Sequence, residues 1–255
     1  MSSQVETSLD ISGSRGSQRF LDFARNDKSK EVARCLFTAL TIYHDDAGHL
    51  AAMNMAIDEA LLECVTVPAI RFYHWQSPAL SFGYFGRFAD VACYQSERDL
   101  IRRWTGGGIV FHGEDLTYSI VIPASDAAFM ESSMSIYEKI HCALCDVLVE
   151  AGHAAVLVTE TGVNDPGYSC FANPVHADVM VDECKIAGAA QRRTRRGLLQ
   201  QGSIQGIDVG NGLTERFAQA LSANCGERNI DEEILKRAQE LAEQKYGTES
   251  WLRKR

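Results

Sequence analysis

Two groups of residues in this 255-residue chain have the types and spacing to do chemistry: Cys170 with Lys185, and the run from Arg102 to His112. Cys170 follows a segment, residues 159–169, that carries Gly, Asn, Asp and Pro and reads as a loop. A return strand beyond it can bring Lys185 alongside, and an ammonium beside a thiol stabilises the thiolate. Lowering a thiol pKa from about 8.5 to about 7 raises the reactive fraction at neutral pH from a few per cent to about half. The competing reading is a cysteine that only packs, as a small hydrophobe. In Arg102-Arg103-Trp104-Thr105-Gly106-Gly107-Gly108-Ile109-Val110-Phe111-His112, three consecutive glycines follow two fixed cations. Glycine lets a ligand approach the main chain, whose N–H groups can donate to a carbonyl or phosphoryl oxygen. A plain hairpin connection would use Asn-Gly or Asp-Gly instead. His112 is read as fixing the loop by a hydrogen bond rather than as a base, since no carboxylate partner is evident. A third cluster, Arg192-Arg193-Thr194-Arg195-Arg196, reads equally as a solvated hairpin or as a docking patch for an acidic partner.

The elements that must position these groups follow from periodicity. Phe37–Tyr43 is strand-like. Over residues 49–64, Met53, Ile57, Ala60 and Leu61 fall on one helical face, with Asp58 and Glu59 expected toward solvent. Short strands are expected at Ala69–Tyr73, Ala79–Phe82 and, β-branched and aromatic, at Leu116–Ile122 before Pro123. A helix runs from Ser132 to Ala151, ending near Gly152, and its Cys142 and Cys145 are assigned to packing because no second ligand pair is spaced for zinc. Ala155–Val158, Val175–Val181, Lys185–Gln191 and Leu198–Ile204 read as strands, with turns at Asp182-Glu183-Cys184 and Thr194–Gly197. The tail from Leu213 reads as mostly helical, with Ile234, Ala238 and Leu241 as its apolar face. Strands with helices before and after, without strict alternation, predict an α+β fold with a mixed β-sheet flanked by helices.

Composition narrows the class. The net charge of −9 argues against a general nucleic-acid binder. No apolar run is long enough to span a bilayer, and no secretory leader opens the sequence. The eight cysteines are scattered, as in a reduced cytoplasmic protein. Residues 1–34, rich in Ser, Asp, Arg and Lys, read as a disordered extension, with one domain over residues 35–255.

The Arg102–His112 run resembles the RRxxGGGxVxH signature of the lipoate-protein ligase and octanoyltransferase family, whose catalytic domain is shared with biotin-protein ligases. Cys170-Phe171-Ala172-Asn173-Pro174, Lys185-Ile186-Ala187-Gly188-Ala189-Ala190-Gln191-Arg192 and the Leu198–Ile204 strand are similar to its later blocks, in the same order. The resemblance implies the fold of class II aminoacyl-tRNA synthetases and biotin ligases. It also implies roles. Cys170 would carry an acyl thioester and Lys185 would meet the acyl carbonyl. Arg103 would contact the activated acyl group. Gly106, Gly107, Gly108, Ile109, Val110 and Phe111 would line the acyl pocket with His112, and the small residues at Gly188 and Ala189 would let the chain lie against their strand. The activity implied is octanoyl transfer from acyl carrier protein to a lysine of a lipoyl domain or glycine cleavage H protein, with no cofactor and no metal. The alternative is an ATP- and magnesium-dependent lipoate ligase working through a lipoyl-adenylate. The Ser81-Phe82-Gly83-Tyr84-Phe85 form, and a C-terminus without an accessory domain, favour the transferase.

Overall fold

The computed structural model describes residues 35–159, 175–208 and 210–254. The expected extension at 1–34 and Cys170 both lie outside them. An eight-stranded mixed sheet is built from β1 (Leu40–His49), β2 (Ala69–Trp75), β6 (Leu116–Pro123), β7 (Ala155–Leu157), β8 (Val179–Val181), β9 (Cys184–Arg193), β10 (Gly197–Ile204) and β11 (Cys225–Glu227). Its order is β11-β1-β2-β6-β10-β9-β8-β7. Only β11 and β2 run parallel to β1; every other pairing is antiparallel. A second sheet of three strands, β3 (Ala79–Phe82), β4 (Asp99–Arg102) and β5 (Ile109–His112), has the order β4-β3-β5. The helices are α1 (Ala51–Cys64), α2 (Ser133–Glu150), α3 (Leu213–Leu221), α4 (Glu232–Leu241) and α5 (Glu249–Leu252). This is the expected α+β arrangement of a mixed sheet flanked by helices.

All eight residues of β6 are buried because the strand is covered on both faces. Tyr118, Ile120 and Ile122 pack with Leu198, Ile204 and the inward faces of α2 and α3. The alternate residues Thr117, Ser119 and Val121 face the other way, where Val121 and Leu199 meet α1 and α4. The period of two thus sends one set of side chains into an aliphatic core and the other toward a polar, chemically equipped layer.

The structure departs from the sequence-based expectation at several elements, and the strand expected over Phe37–Tyr43 begins at Leu40 and runs to His49. Asp58 and Glu59 do not face solvent: both are buried. Helix α1 is apolar nearly all round, with Ala, Met, Ile and Leu on every side, so it is enclosed by the sheet and by α4. Val175–Val181 is a strand only from Val179, because the Asp178 carboxylate accepts the Val175 N–H (2.7 Å) and closes a turn, with Ala177 at φ 63°. The tail contains a short strand, β11, that its Cys-Gly-Glu sequence does not announce. Ile234, Ala238 and Leu241 do form the buried face of α4.

Asp58 organises the polar layer. Its Oδ1 accepts from Arg71 Nη1 (2.8 Å) and Ser119 Oγ (2.7 Å), and its Oδ2 from Gln201 Nε2 (2.7 Å) and the Tyr73 hydroxyl (3.1 Å). Asp45 is a second carboxylate on the same guanidinium, accepting from Arg71 Nε and Nη2 at 2.9 and 2.6 Å. Glu59 accepts from Lys245 Nζ and the Tyr246 hydroxyl. Removing the Asp58 carboxylate leaves Arg71 paired with Asp45 but strands the buried Ser119, Gln201 and Tyr73 donors without their acceptor. Asp58→Ala is therefore expected to cost about 3–5 kcal/mol of stability, read from the denaturant midpoint. A loss under about 1 kcal/mol would contradict this role for the carboxylate.

On the opposite face, His141 is fully buried on α2. Its Nδ1 meets the Ala177 carbonyl (2.7 Å) and its Nε2 the Tyr118 hydroxyl (3.0 Å), so a neutral ring is satisfied at both nitrogens. Burial draws its pKa down to about 4, against the Ala177 carbonyl and Asp178, which favour the cation. The folded value lies below the unfolded one, so the unfolded chain takes up the proton first. Stability is then full above pH about 6.5 and falls by roughly 3 kcal/mol as the pH drops toward 4. His141→Gln should flatten that slope in urea titrations across the window; a variant with the wild-type slope would place the acid sensitivity elsewhere.

Candidate active site

The cleft between the two sheets is lined by Ser81, Arg103, Gly107, Val110 and His112 on one wall. Tyr73, Trp75, Thr117, Gln201 and Ser203 form the other, with Lys185 and the strand Gly188-Ala189-Ala190 beside them and Met55 of α1 below. The space within and at the mouth of the cleft, open solvent included, is about 490 Å³. Of the residues expected to line an acyl pocket, the period of two selects. Val110 and His112 point into the cleft, while Ile109 and Phe111 turn away and pack beside Leu80, Phe82 and Leu100. Of the three glycines, Gly107 lines the cleft. It sits at φ 83°, a conformation that favours glycine, and its carbonyl presses against Gly83 so closely that a Cβ at Gly83 would run into it. Two glycines, one directly after β3 and one just before β5, thus let the loop fold down onto β3.

Arg103 braces that loop from within. Its Nη2 donates to the carbonyls of Gly106 (3.0 Å) and Gly108 (2.9 Å), and its Nη1 to Ser81 Oγ (2.7 Å). Ser81 Oγ also lies 2.6 Å from His112 Nε2, and His112 Nδ1 lies 2.8 Å from Asp115 Oδ2. The hydroxyl accepts from the guanidinium, which cannot give up its proton, and so delivers its single hydrogen to Nε2. The histidine is then neutral, with Nδ1–H donating to the carboxylate. Burial agrees, pulling the His112 pKa below its usual range against the Asp115 hydrogen bond. Burial alone would raise Asp115, but hydrogen bonds from His112, Ser203 and Thr117 outweigh it and bring it to about 2. The His112 ring also stacks on Trp75, centroids 4.1 Å apart, joining the two sheets. The expectation that His112 lacks a carboxylate is thus corrected: Asp115 is three residues on, returned by the tight turn at Gly113-Glu114. A His-x-x-Asp spacing across a turn was the available signal.

Lys185 stands at the other end. Its Nζ is 2.7 Å from Asp178 Oδ2, in a pair almost wholly removed from solvent. Tyr137 of α2 donates its hydroxyl to Asp178 Oδ1 (2.6 Å) and accepts the Ala189 N–H (3.1 Å), tying the lysine's partner to the strand that walls the cleft. Gly188 leaves room for the ammonium: a Cβ there would come 2.6 Å from Lys185 Nζ and push the end of that side chain aside. The β8–β9 hairpin creates the juxtaposition by turning through Asp182 and Glu183, both at positive φ, as a two-residue hairpin turn requires. Asp178, Tyr137, Ser81 and Gln201 were not singled out from the sequence, since nothing marks a residue whose partner lies on another strand.

The arginine cluster resolves into separate jobs. Arg193 donates to the carbonyls of Phe129 and Glu131 and lies over the Phe129 ring, and Arg196 pairs with Glu63 at 3.1 Å. Arg192 sits over Tyr84 (4.8 Å) and Trp104 (5.1 Å), beside the glycine loop. Of the two cysteines on α2, Cys142 is exposed and Cys145 is buried.

A family model for the lipoyl protein ligase A/B catalytic domain matches residues 51–243. The octanoyltransferase LipM of Brevibacillus brevis is 34% identical over 195 residues, covering 71% of this chain and 70% of that protein. The octanoyltransferase LipM of Macrococcus caseolyticus is 38% identical over 172 residues, 61% of this chain and 62% of that one. In fold, a solved lipoate-protein ligase A bound with ATP superposes with a TM-score of 0.67 at 24% identity, covering 85% of this chain and 98% of the other.

Proposed function

The chain belongs to the lipoyl protein ligase A/B catalytic-domain family, and on that premise we propose that it is an octanoyltransferase working through a Cys170 thioester. The observation that carries this reading is the Lys185–Asp178 pair opening onto a cleft walled by Gly188, Ala189, Ala190, Val110, Trp75 and Met55, a cation at the head of an apolar slot. Asp178 Oδ2 holds both Lys185 Nζ and the Val175 N–H. Cys170 precedes Val175 by five residues, a stretch that spans at most about 17 Å.

In the first half-reaction the Cys170 thiolate attacks the thioester carbonyl of an octanoyl group carried by acyl carrier protein. Lys185 stabilises the oxygen as it becomes anionic, and the donor's sulfur leaves and takes up a proton. In the second, the ε-amine of a lysine on a lipoyl domain or glycine cleavage H protein attacks the Cys170 thioester. An amide forms, the C–S bond breaks, and the proton lost by the amine returns to the cysteine. The Asp115–His112–Ser81 chain fixes Arg103, and Arg103 holds the glycine loop over the slot. Neither nucleotide nor metal enters these steps.

The test is transfer from octanoyl carrier protein to a lipoyl domain in buffer without nucleotide. Octanoylated acceptor is the expected product. Dependence on free lipoate or octanoate with Mg-ATP, and release of pyrophosphate, would make the chain a ligase instead.

A further inference from the structure

The residues next to the glycine loop form a surface that the half-reactions above leave unused. Tyr84 donates its N–H to the Thr105 carbonyl (2.8 Å), so the chain leaving β3 lies directly against the loop at the cleft's edge. Phe85, next in sequence, is 84% exposed and meets the Tyr84 ring edge-on, centroids 5.0 Å apart. Two cations attend that tyrosine. Lys254 Nζ bonds its hydroxyl (2.7 Å) and lies 4.7 Å from its ring, and the Arg192 guanidinium lies 4.8 Å from the ring. The platform is rigid. Arg102, fully buried, donates to the carbonyls of Tyr84 and Gly86 on one side and of Trp251, Leu252 and Lys254 on the other. An apolar tip held on a cation-flanked base, in a chain of net charge −9, is unlike the surrounding surface and is complementary to an acidic partner with an apolar spot.

We propose that Phe85 and Lys254, with Arg192 beside them, dock the acceptor domain, by contact with acidic and apolar side chains that flank its target lysine. This rests on the octanoyltransferase reading. The choice of acceptor follows from reach. A lysine stem extends only roughly 6 Å from its backbone, so the domain bearing it must touch the rim of the cleft itself. The Tyr84–Phe85 segment borders the loop whose Gly107 lines the cleft, joined to it by the backbone hydrogen bond to Thr105. A rigid, preformed aromatic anchor loses little freedom on binding, the usual condition for a contact that dominates affinity.

The experiment separates the two half-reactions in wild type, Phe85→Ser and Lys254→Glu. Octanoyl carrier protein first loads each protein, followed by intact mass. The loaded protein is then discharged by increasing concentrations of a lipoyl domain, and by a small primary amine as a control. Loading and discharge by the small amine should stay within about twofold of wild type. Half-maximal discharge by the lipoyl domain should need more than about tenfold higher concentrations in each variant, and for wild type should weaken as salt is raised. Unchanged lipoyl-domain discharge would overturn the proposal, as would an equal loss in loading, which would assign the surface to the donor. Equilibrium binding of the lipoyl domain to the three unloaded proteins runs in parallel and reads docking without chemistry. If wild type never loads, the transferase reading fails; docking then stands or falls on whether the variants bind more weakly.

Discussion

Cys170→Ser is expected to lower octanoyl transfer by roughly three orders of magnitude or more while leaving the protein folded. The hydroxyl occupies nearly the same volume, but its pKa leaves almost no anion at neutral pH, and a cation that stabilises a thiolate cannot close so wide a gap. The described structure gives no reason for a folding defect, since both ends of the segment carrying Cys170 are tied elsewhere. Val158 N–H donates to the Asp178 carbonyl, Ala177 N–H to the Val158 carbonyl, and Val175 N–H to the Asp178 carboxylate. Transfer rate and thermal midpoint measured on the same sample check both halves of the expectation. A variant with near-wild-type transfer would remove the covalent intermediate.

Lys185→Ala is expected to slow loading of the enzyme about 100- to 1000-fold, the scale for losing one preorganised charge at a developing oxyanion. It also exposes a second effect that the first must be separated from. Asp178 is fully buried, and without Lys185 the partners left to its carboxylate among the described residues are Tyr137 and the Val175 N–H, so stability should fall as well. The double variant Lys185→Ala with Asp178→Asn removes the orphaned charge. Its stability should recover toward wild type while its loading rate stays low. If the double variant regained the rate, the lysine would be structural.

Part of this arrangement was legible in the chain and part was not, for identifiable reasons. The Arg103-to-His112 run could be assigned to a ligand-facing loop because consecutive glycines have few other uses. Ala79–Phe82, α2 and β10 emerged close to their final bounds because their apolar periods are long and end at Pro, Gly or a turn. What stayed hidden depends on pairing between strands. Asp178 becomes the partner of Lys185 only once the hairpin at Asp182-Glu183 folds. Gln201 bridges Thr105 and Asp58 only because β10 lies beside β6 with Gln201 opposite Ser119. Asp58 and Glu59 fall off the Met53–Ile57–Ala60–Leu61 face and so read as solvent-facing, against the more informative fact that α1 has no continuous polar stripe. Arg192 to Arg196 shows the same limit in reverse, since Arg192, Arg193 and Arg196, close in sequence, end on Tyr84, Phe129 and Glu63, three separate partners.

Intact mass spectrometry of the protein incubated with octanoyl carrier protein alone reads the covalent intermediate itself. A single added octanoyl group is expected in the absence of nucleotide, lost when a lipoyl domain is then supplied, and absent from Cys170→Ala throughout. A wild-type protein that stays unmodified, alongside lipoate-dependent pyrophosphate release that Cys170→Ala retains in full, would contradict that intermediate.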